Sequence, residues 1–378
     1  MNVANIYKFF SFFFWALFTY TSHFFAKQYF SLTSSSFVTE KVIFLTSLQV
    51  GCGAVFYLLI KLKNRHSGGP ILDYRIILLG ACHSYGMMMT NSSMAQTTAS
   101  LTHLVKMSEP FYTTIIMAIM GKINFNCKII FIMMIILATA VGSEPISDAR
   151  SSLVGIGFAL VSNLCYALRN TGTKYFYSEE SSKSATTLEG FAAISFGGLL
   201  SLVPMWIFSY ILGYDNYSDL LTSSNDQINY FLIISSISHA LYNIISLTII
   251  LSFFNPVQHA MLNVGKRTSI ILVFYLFSQR PFTILNLISA IICLLVSIVG
   301  VRVMAVKKHS EVSDKSEEIS WKSMVSGILI LLFSLSSISW TVSSFQKGKY
   351  VICNTAHVVI GSISVTFLYS QYYAVTLK

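Results

Sequence analysis

The chain has 378 residues, of which 54% are hydrophobic and only 11% charged, with a formal net charge of +10 at pH 7. Soluble domains carry about 25% charged residues, so an ordinary soluble enzyme or binding module is excluded and a polytopic helical membrane protein is expected. The positive balance does not indicate nucleic acid, because most Lys and Arg lie in short loops between apolar runs and no basic patch is interleaved with aromatics.

The first apolar run, Phe9 to Phe25, follows Lys8 and lacks an evident small-residue cleavage site. It reads as an uncleaved signal anchor, with a cleaved signal peptide as the alternative. A spanning helix needs about 20 residues. Runs of that order recur at 8–26, 40–60, 76–95, 97–120, 128–145, 152–173, 187–212, 229–252, 256–277 and 282–304. Two further candidates follow at about 322–343 and 351–373, beyond a charged linker over 307–320. Lys61, Lys63, Arg65 and Arg75, then Lys122 and Lys128, Lys174 and Lys183, and Lys307 and Lys308 fall in alternate loops. The positive-inside rule therefore puts both termini in the cytosol. The intervening loops are poorer in net positive charge; Lys27, Glu40 and Lys41 are assigned to the first of them.

Charge inside a span carries the functional signal, because each buried charge costs at least about 2.5–3.5 kcal/mol on insertion scales. Lys266 and Arg267 sit mid-way along the ninth span, where shifting the boundary to let them snorkel leaves too little apolar sequence to cross. Lys106 sits inside the fourth span, followed by Glu109 and Pro110. An internal Lys106–Glu109 pair is possible at that spacing, but Pro110 biases Glu109 away from helical geometry. Three cations meeting in a cavity suit a phosphate dianion: Arg offers a planar donor fork, Lys a point charge. His103 shares a face with Lys106 and either lines the cavity or makes a structural hydrogen bond. Arg169, near the end of the sixth span, has snorkelling and substrate contact open to it. Tyr242 offers a hydroxyl, with packing or an interfacial position as the default.

The fourth and ninth spans lie five apart, and each places a lysine mid-span, in Leu101-Thr102-His103-Leu104-Val105-Lys106 and Met261-Leu262-Asn263-Val264-Gly265-Lys266. An odd offset reverses orientation, so an inverted 5+5 repeat is expected, with halves at 1–150 and 151–306 and extra membrane segments at 321–378. Inverted repeats put substrate sites near the midplane. The six cysteines, Cys52, Cys82, Cys127, Cys165, Cys293 and Cys353, include no CxxC pair and are expected to pack as small apolar residues. No nucleophile–base arrangement, metal-ligand cluster or Gly-rich phosphate loop is evident, so neither catalysis nor a cofactor is expected.

At these residues the chain resembles the plastidic phosphate translocators, the triose-phosphate/phosphate translocator family of the drug/metabolite transporter superfamily. The matching stretches are Thr90-Asn91, Ser100 to Phe111, Leu168-Arg169-Asn170, His239 to Asn243, and Pro256 through Lys266-Arg267. The resemblance covers roughly 8–305. It implies ten helices, exchange of inorganic phosphate for phosphorylated C3, C5 or C6 compounds, phosphate held by Lys106, Lys266 and Arg267, and organic-moiety contacts from Thr90, Arg169 and Tyr242. Where triose-phosphate members carry a histidine in Gly-His-x-x-Thr-Asn, this chain has Met87 in Gly86-Met87-Met88-Met89-Thr90-Asn91. One extra residue lies between Tyr242 and Pro256. Met87, with only a weakly accepting thioether, is expected to loosen selectivity at the non-phosphate end. The expected partners are the bilayer and small phosphorylated metabolites, in a monomer or homodimer. A plastid membrane of apicoplast type suits the Phe-, Ile-, Tyr- and Asn-rich composition. Alternatives are a Golgi or endoplasmic-reticulum nucleotide-sugar carrier and, in other classes, a polytopic lipid-modifying enzyme or a receptor.

Overall fold

The computed structural model describes residues 3–32, 38–63, 73–123, 127–142, 153–175, 188–211, 226–278 and 284–303. The linker and helices expected after residue 306 lie outside these, as do most loops that carry the topology charges. Among the described residues all regular structure is helical, and Met1–Val306 form one compact unit.

The elements follow the expected spans closely: α1 Val3–Leu32, α2 Val38–Lys63, α3 Tyr74–Gln96, α4 in two segments, α5 Cys127–Gly142, α6 Leu153–Tyr175, α7 Leu188–Ile211, α8 Asp226–Ile244, α9 Pro256–Ser278 and α10 Ile284–Val303. Among the described residues four helices qualify by length and composition as membrane spans: α2, α6, α7 and α8 with its continuation to Phe253. Helix α3 is more polar because it is the inner helix, packed on both α6 and α7 and buried along most of its length. Residues read as charges of the first loop are helical instead. Lys27 lies on α1 and donates to the carbonyls of Met94 and Thr97, both at 2.8 Å, closing the end of α3. Glu40 and Lys41 open α2 and are buried.

The fourth span is not one helix. It runs Ala99–Lys106, turns at Met107 and Ser108, and resumes as Glu109–Ile119 with Pro110 in its first turn. The cause is local: proline has no N–H to give the carbonyl four residues back, that of Lys106. Side chains from other helices take up the freed oxygens. Asn163 Nδ2 donates to the Val105 carbonyl at 3.1 Å, and Arg267 Nη1 donates to that of Lys106. Helix α8 widens into a π-helical turn at Ile245–Ile250 before a last segment, Leu251–Phe253. Helix α9 opens with a reciprocal cap in which Gln258 N donates to Asn255 Oδ1 at 2.9 Å and Asn255 N to Gln258 Oε1 at 3.1 Å.

The packing partners include α3 with α6 and α7, α8 with α1 and α2, α4 with α6, α9 with α1 and α10, α2 with α3, and α4 with α9, α5 with α10 and α2 with α7. Small residues permit the closest crossing: a Cβ added at Gly80 of α3 would lie 2.3 Å from the Gly198 nitrogen of α7. The described cysteines are free; Cys82, Cys165 and Cys293 are buried and Cys52 partly so.

Candidate functional site

A small cavity lies where α1, α4, α6, α8 and α9 meet. Trp15, Thr19 and His23 face it from α1, Lys106 and Glu109 from either side of the α4 break, and Tyr166 and Arg169 from α6. Tyr242, Asn243 and Ser246 come from α8, and His259, Asn263, Lys266 and Arg267 from α9. Among the described residues four basic side chains therefore share one cavity with a single carboxylate, a formal net of +3 from four minus one.

Each cation has its own resting partner. Arg267 Nη2 and Glu109 Oε2 form a buried ion pair at 2.7 Å, and Asn263 Nδ2 donates to the same oxygen at 2.7 Å. Asn170 Nδ2 reaches Glu109 Oε1 at 3.3 Å. The alternative Lys106–Glu109 pair is not formed: the break before Glu109 turns its carboxylate to α9, across the helix crossing. Lys106 Nζ donates to the hydroxyls of Thr90 and, at 2.7 Å, Ser162, and both hydroxyls bond the Gly86 carbonyl. Its ammonium also lies 4.5 Å from the centre of the Tyr166 ring.

Arg169 is buried, not snorkelling. Its guanidinium donates to Asn170 Oδ1, to Asn243 Oδ1 at 3.1 Å and to His83 Nδ1 at 2.8 Å, and stacks 4.6 Å from Tyr166. Lys266 makes no hydrogen bond among the described residues. Its ammonium rests 3.9 Å from the Trp15 ring centre and 5.7 Å from that of Tyr242. A desolvated cation–π contact of this kind contributes about 2 kcal/mol, less than a carboxylate would.

Three expected site residues stand behind the lining. Thr90 acts through Lys106. His103 packs behind His23, ring centres 4.8 Å apart. Met87 is fully buried, and its thioether sulfur accepts from the hydroxyls of Tyr166 at 3.3 Å and Tyr242 at 3.9 Å. Tyr242 is a cavity residue and not an interfacial one.

Residues 7–304 match the Triose-phosphate Transporter family. The chain belongs to that family. It is 28% identical over 254 residues to phosphoenolpyruvate/phosphate translocator 2, chloroplastic, of Arabidopsis thaliana, covering 64% of this chain and 64% of that protein. It is 25% identical over 279 residues to the xylulose 5-phosphate/phosphate translocator, chloroplastic, of the same plant, covering 71% and 64%. Glucose-6-phosphate/phosphate translocator 1, chloroplastic, also from Arabidopsis thaliana, is 22% identical over 57% of this chain and 55% of its own length. The chain thus spans less than two thirds of these curated relatives. A solved structure titled "Crystal structure of protein" superposes with a TM-score of 0.50 at 11% identity, over 81% of this chain and 99% of that one, a likeness of fold alone.

Within this member of the family, several lining residues were not singled out from sequence. Trp15, Thr19 and His23 recur at four-residue intervals, the signature of one helix face, but the surrounding phenylalanines mask it. Tyr166 precedes Arg169 by three residues, and Asn263 and His259 precede Lys266 by three and seven, so both sets follow helical spacing from residues already recognised.

Proposed function

We propose that this integral membrane protein is an antiporter that exchanges inorganic phosphate for small phosphorylated metabolites. The observation that carries the reading is the gathering of Lys106, Arg169, Lys266 and Arg267 around one cavity with Glu109 as the only carboxylate among the described residues lining it. Outside a site for an anion, a net of three positive charges among packed helices has no offset. Because Glu109 compensates Arg267, the charges open to a phosphate dianion are chiefly Lys106 and Lys266, with Arg267 holding α4 and α9 together beside them. Thr90, Arg169 and Tyr242 face or support the organic end, with His103 and Met87 one layer behind.

Alternating access follows from a two-fold plan of residues 1–150 and 151–306. In its support, most of the pairings between helices not adjacent in the chain map onto themselves when each helix is exchanged for the one five places on: α3–α6 with α8–α1, α3–α7 with α8–α2, α4–α6 with α9–α1, and α4–α9, α5–α10 and α2–α7 onto themselves. Exchange is obligatory because the empty site must carry unneutralised charge through the occluded state, which a dianion relieves. The named relatives support a plastid-type membrane and substrates such as triose phosphate, phosphoenolpyruvate or a sugar phosphate, and a transporter leaves no role for catalysis.

The test is uptake of radiolabelled phosphate by liposomes containing the purified chain. Uptake is expected when they are preloaded with phosphate or phosphoenolpyruvate and is expected to be slight when they are empty. Lys266→Ala and Lys106→Ala should each lose exchange. Strong uptake into empty liposomes would refute coupling. Exchange of a nucleotide sugar for its monophosphate, with no response to phosphate, would replace this reading with the nucleotide-sugar carrier.

A further inference from the structure

We infer that His23 reads the organic end of the substrate, donating an imidazole N–H to a carboxylate that the substrate carries in addition to its phosphate. This rests on the phosphate-exchange reading of the same cavity. His23 is 5% exposed, lines the cavity, and neither ring nitrogen has a hydrogen-bond partner. A buried imidazole must donate from at least one nitrogen in either protonation state, so an unmet donor here leaves a polar group waiting for a partner. Its neighbours do not supply one. His103 and Tyr242 meet it through their rings, at 4.8 and 6.0 Å between centres. Thr19, one turn earlier on the same face, has spent its hydroxyl on the Trp15 carbonyl at 2.6 Å. His259, the other histidine of the lining, is already engaged by Ser246 at 2.9 Å and Asn170 at 3.4 Å.

Charge selects the class of ligand. The cavity carries a net of +3 from four cations and Glu109. A phosphate dianion offsets two, and a carboxylate on the same molecule offsets the third, whereas a hydroxyl or carbonyl offsets none. His23 is placed for that second anionic group, since it shares the cavity with Lys106 and Lys266 while leaving both ammonium groups to the phosphate. Position 87 cannot do this work, because Met87 is sealed behind the two tyrosine hydroxyls that its sulfur accepts.

The experiment compares His23→Ala and His23→Gln with the parent chain, reconstituted in phosphate-loaded liposomes. Apparent KM is measured for phosphoenolpyruvate, for dihydroxyacetone phosphate, which has no carboxylate, and for phosphate. Losing one charge-assisted hydrogen bond should raise the ratio of the phosphoenolpyruvate KM to the phosphate KM about tenfold in His23→Ala. His23→Gln, which keeps an N–H donor, should restore most of it, while the dihydroxyacetone phosphate KM moves with that of phosphate. An equal change for all three ligands, or none, would overturn the assignment. Thermal unfolding of the detergent-solubilised protein with each ligand separates this from the exchange reading. If phosphoenolpyruvate stabilises the parent and His23→Gln more than His23→Ala, the contact holds even where exchange is absent; if it stabilises all three alike, or none of them, the contact is refuted.

Discussion

Replacing Glu109 by Gln removes the one carboxylate among the described residues lining the cavity while keeping the shape of the side chain. At 2.7 Å between Arg267 Nη2 and Glu109 Oε2, and an effective dielectric constant of about 20, the gross attraction is about 6 kcal/mol before desolvation. Breaking a buried pair by removing one partner costs about 3–5 kcal/mol, because the other charge stays buried. The glutamine amide oxygen still accepts from Arg267 and returns about 1 kcal/mol. The expected net loss is therefore about 2–4 kcal/mol of stability. Bound phosphate supplies the missing negative charge, and at one hundred times its dissociation constant it stabilises the folded protein by about 2.7 kcal/mol. Unfolding in detergent, followed by intrinsic fluorescence, should show a lowered midpoint for Glu109→Gln that phosphate raises more than it raises the parent's. A variant as stable as the parent without phosphate, or one stabilised by phosphate no more than the parent, would refute the idea that Glu109 balances the cavity charge.

Pro110→Ala restores an N–H able to bond the Lys106 carbonyl, so it competes with Arg267 for that oxygen; exchange should fall severalfold, and a variant with unchanged exchange would show that the break is dispensable. Trp15→Leu removes the ring on which the Lys266 ammonium rests; loss of about 2 kcal/mol of cation–π contact should alter the phosphate KM by up to about thirtyfold, read by concentration-dependent uptake, with Trp15→Phe intermediate. Met87→His places a stronger acceptor under the Tyr166 and Tyr242 hydroxyls and should shift preference toward triose phosphates; equal relative rates for triose phosphate and phosphoenolpyruvate before and after would remove position 87 from the selectivity of the site.

The spans were legible because hydropathy and helix length are local properties, and the same holds for Lys106, Lys266 and Arg267, whose cost in lipid marks them whatever their partners. Partner choice was not legible. Nothing local named the helix that receives the Glu109 carboxylate. The three-residue spacing of Lys106 and Glu109 permitted an ion pair within one helix and Pro110 argued against it, since a proline acts four residues upstream through the hydrogen bond it withholds. The break therefore falls at Met107 and Ser108, ahead of Glu109, and its carboxylate is committed to another helix. Arg169 was ambiguous because its distance from the span end says nothing about whether Tyr166, Asn243 and His83 converge on it. Trp15 and His23 were hidden for a different reason: in a run of phenylalanines, a ring that faces a cavity and one that faces lipid read alike until the packing of α1 on α8 and α9 separates them.

The contact between Arg267 and α4 is made to the main chain, not to the Lys106 side chain. An address written in backbone survives any change of the residue that carries it. Substitutions at position 106 therefore leave the α4–α9 crossing tied, and whatever transport they lose can be charged to the ammonium group alone. Position 267 has no such separation, since one guanidinium serves both the crossing and the acid, and its replacement will always mix architecture with electrostatics.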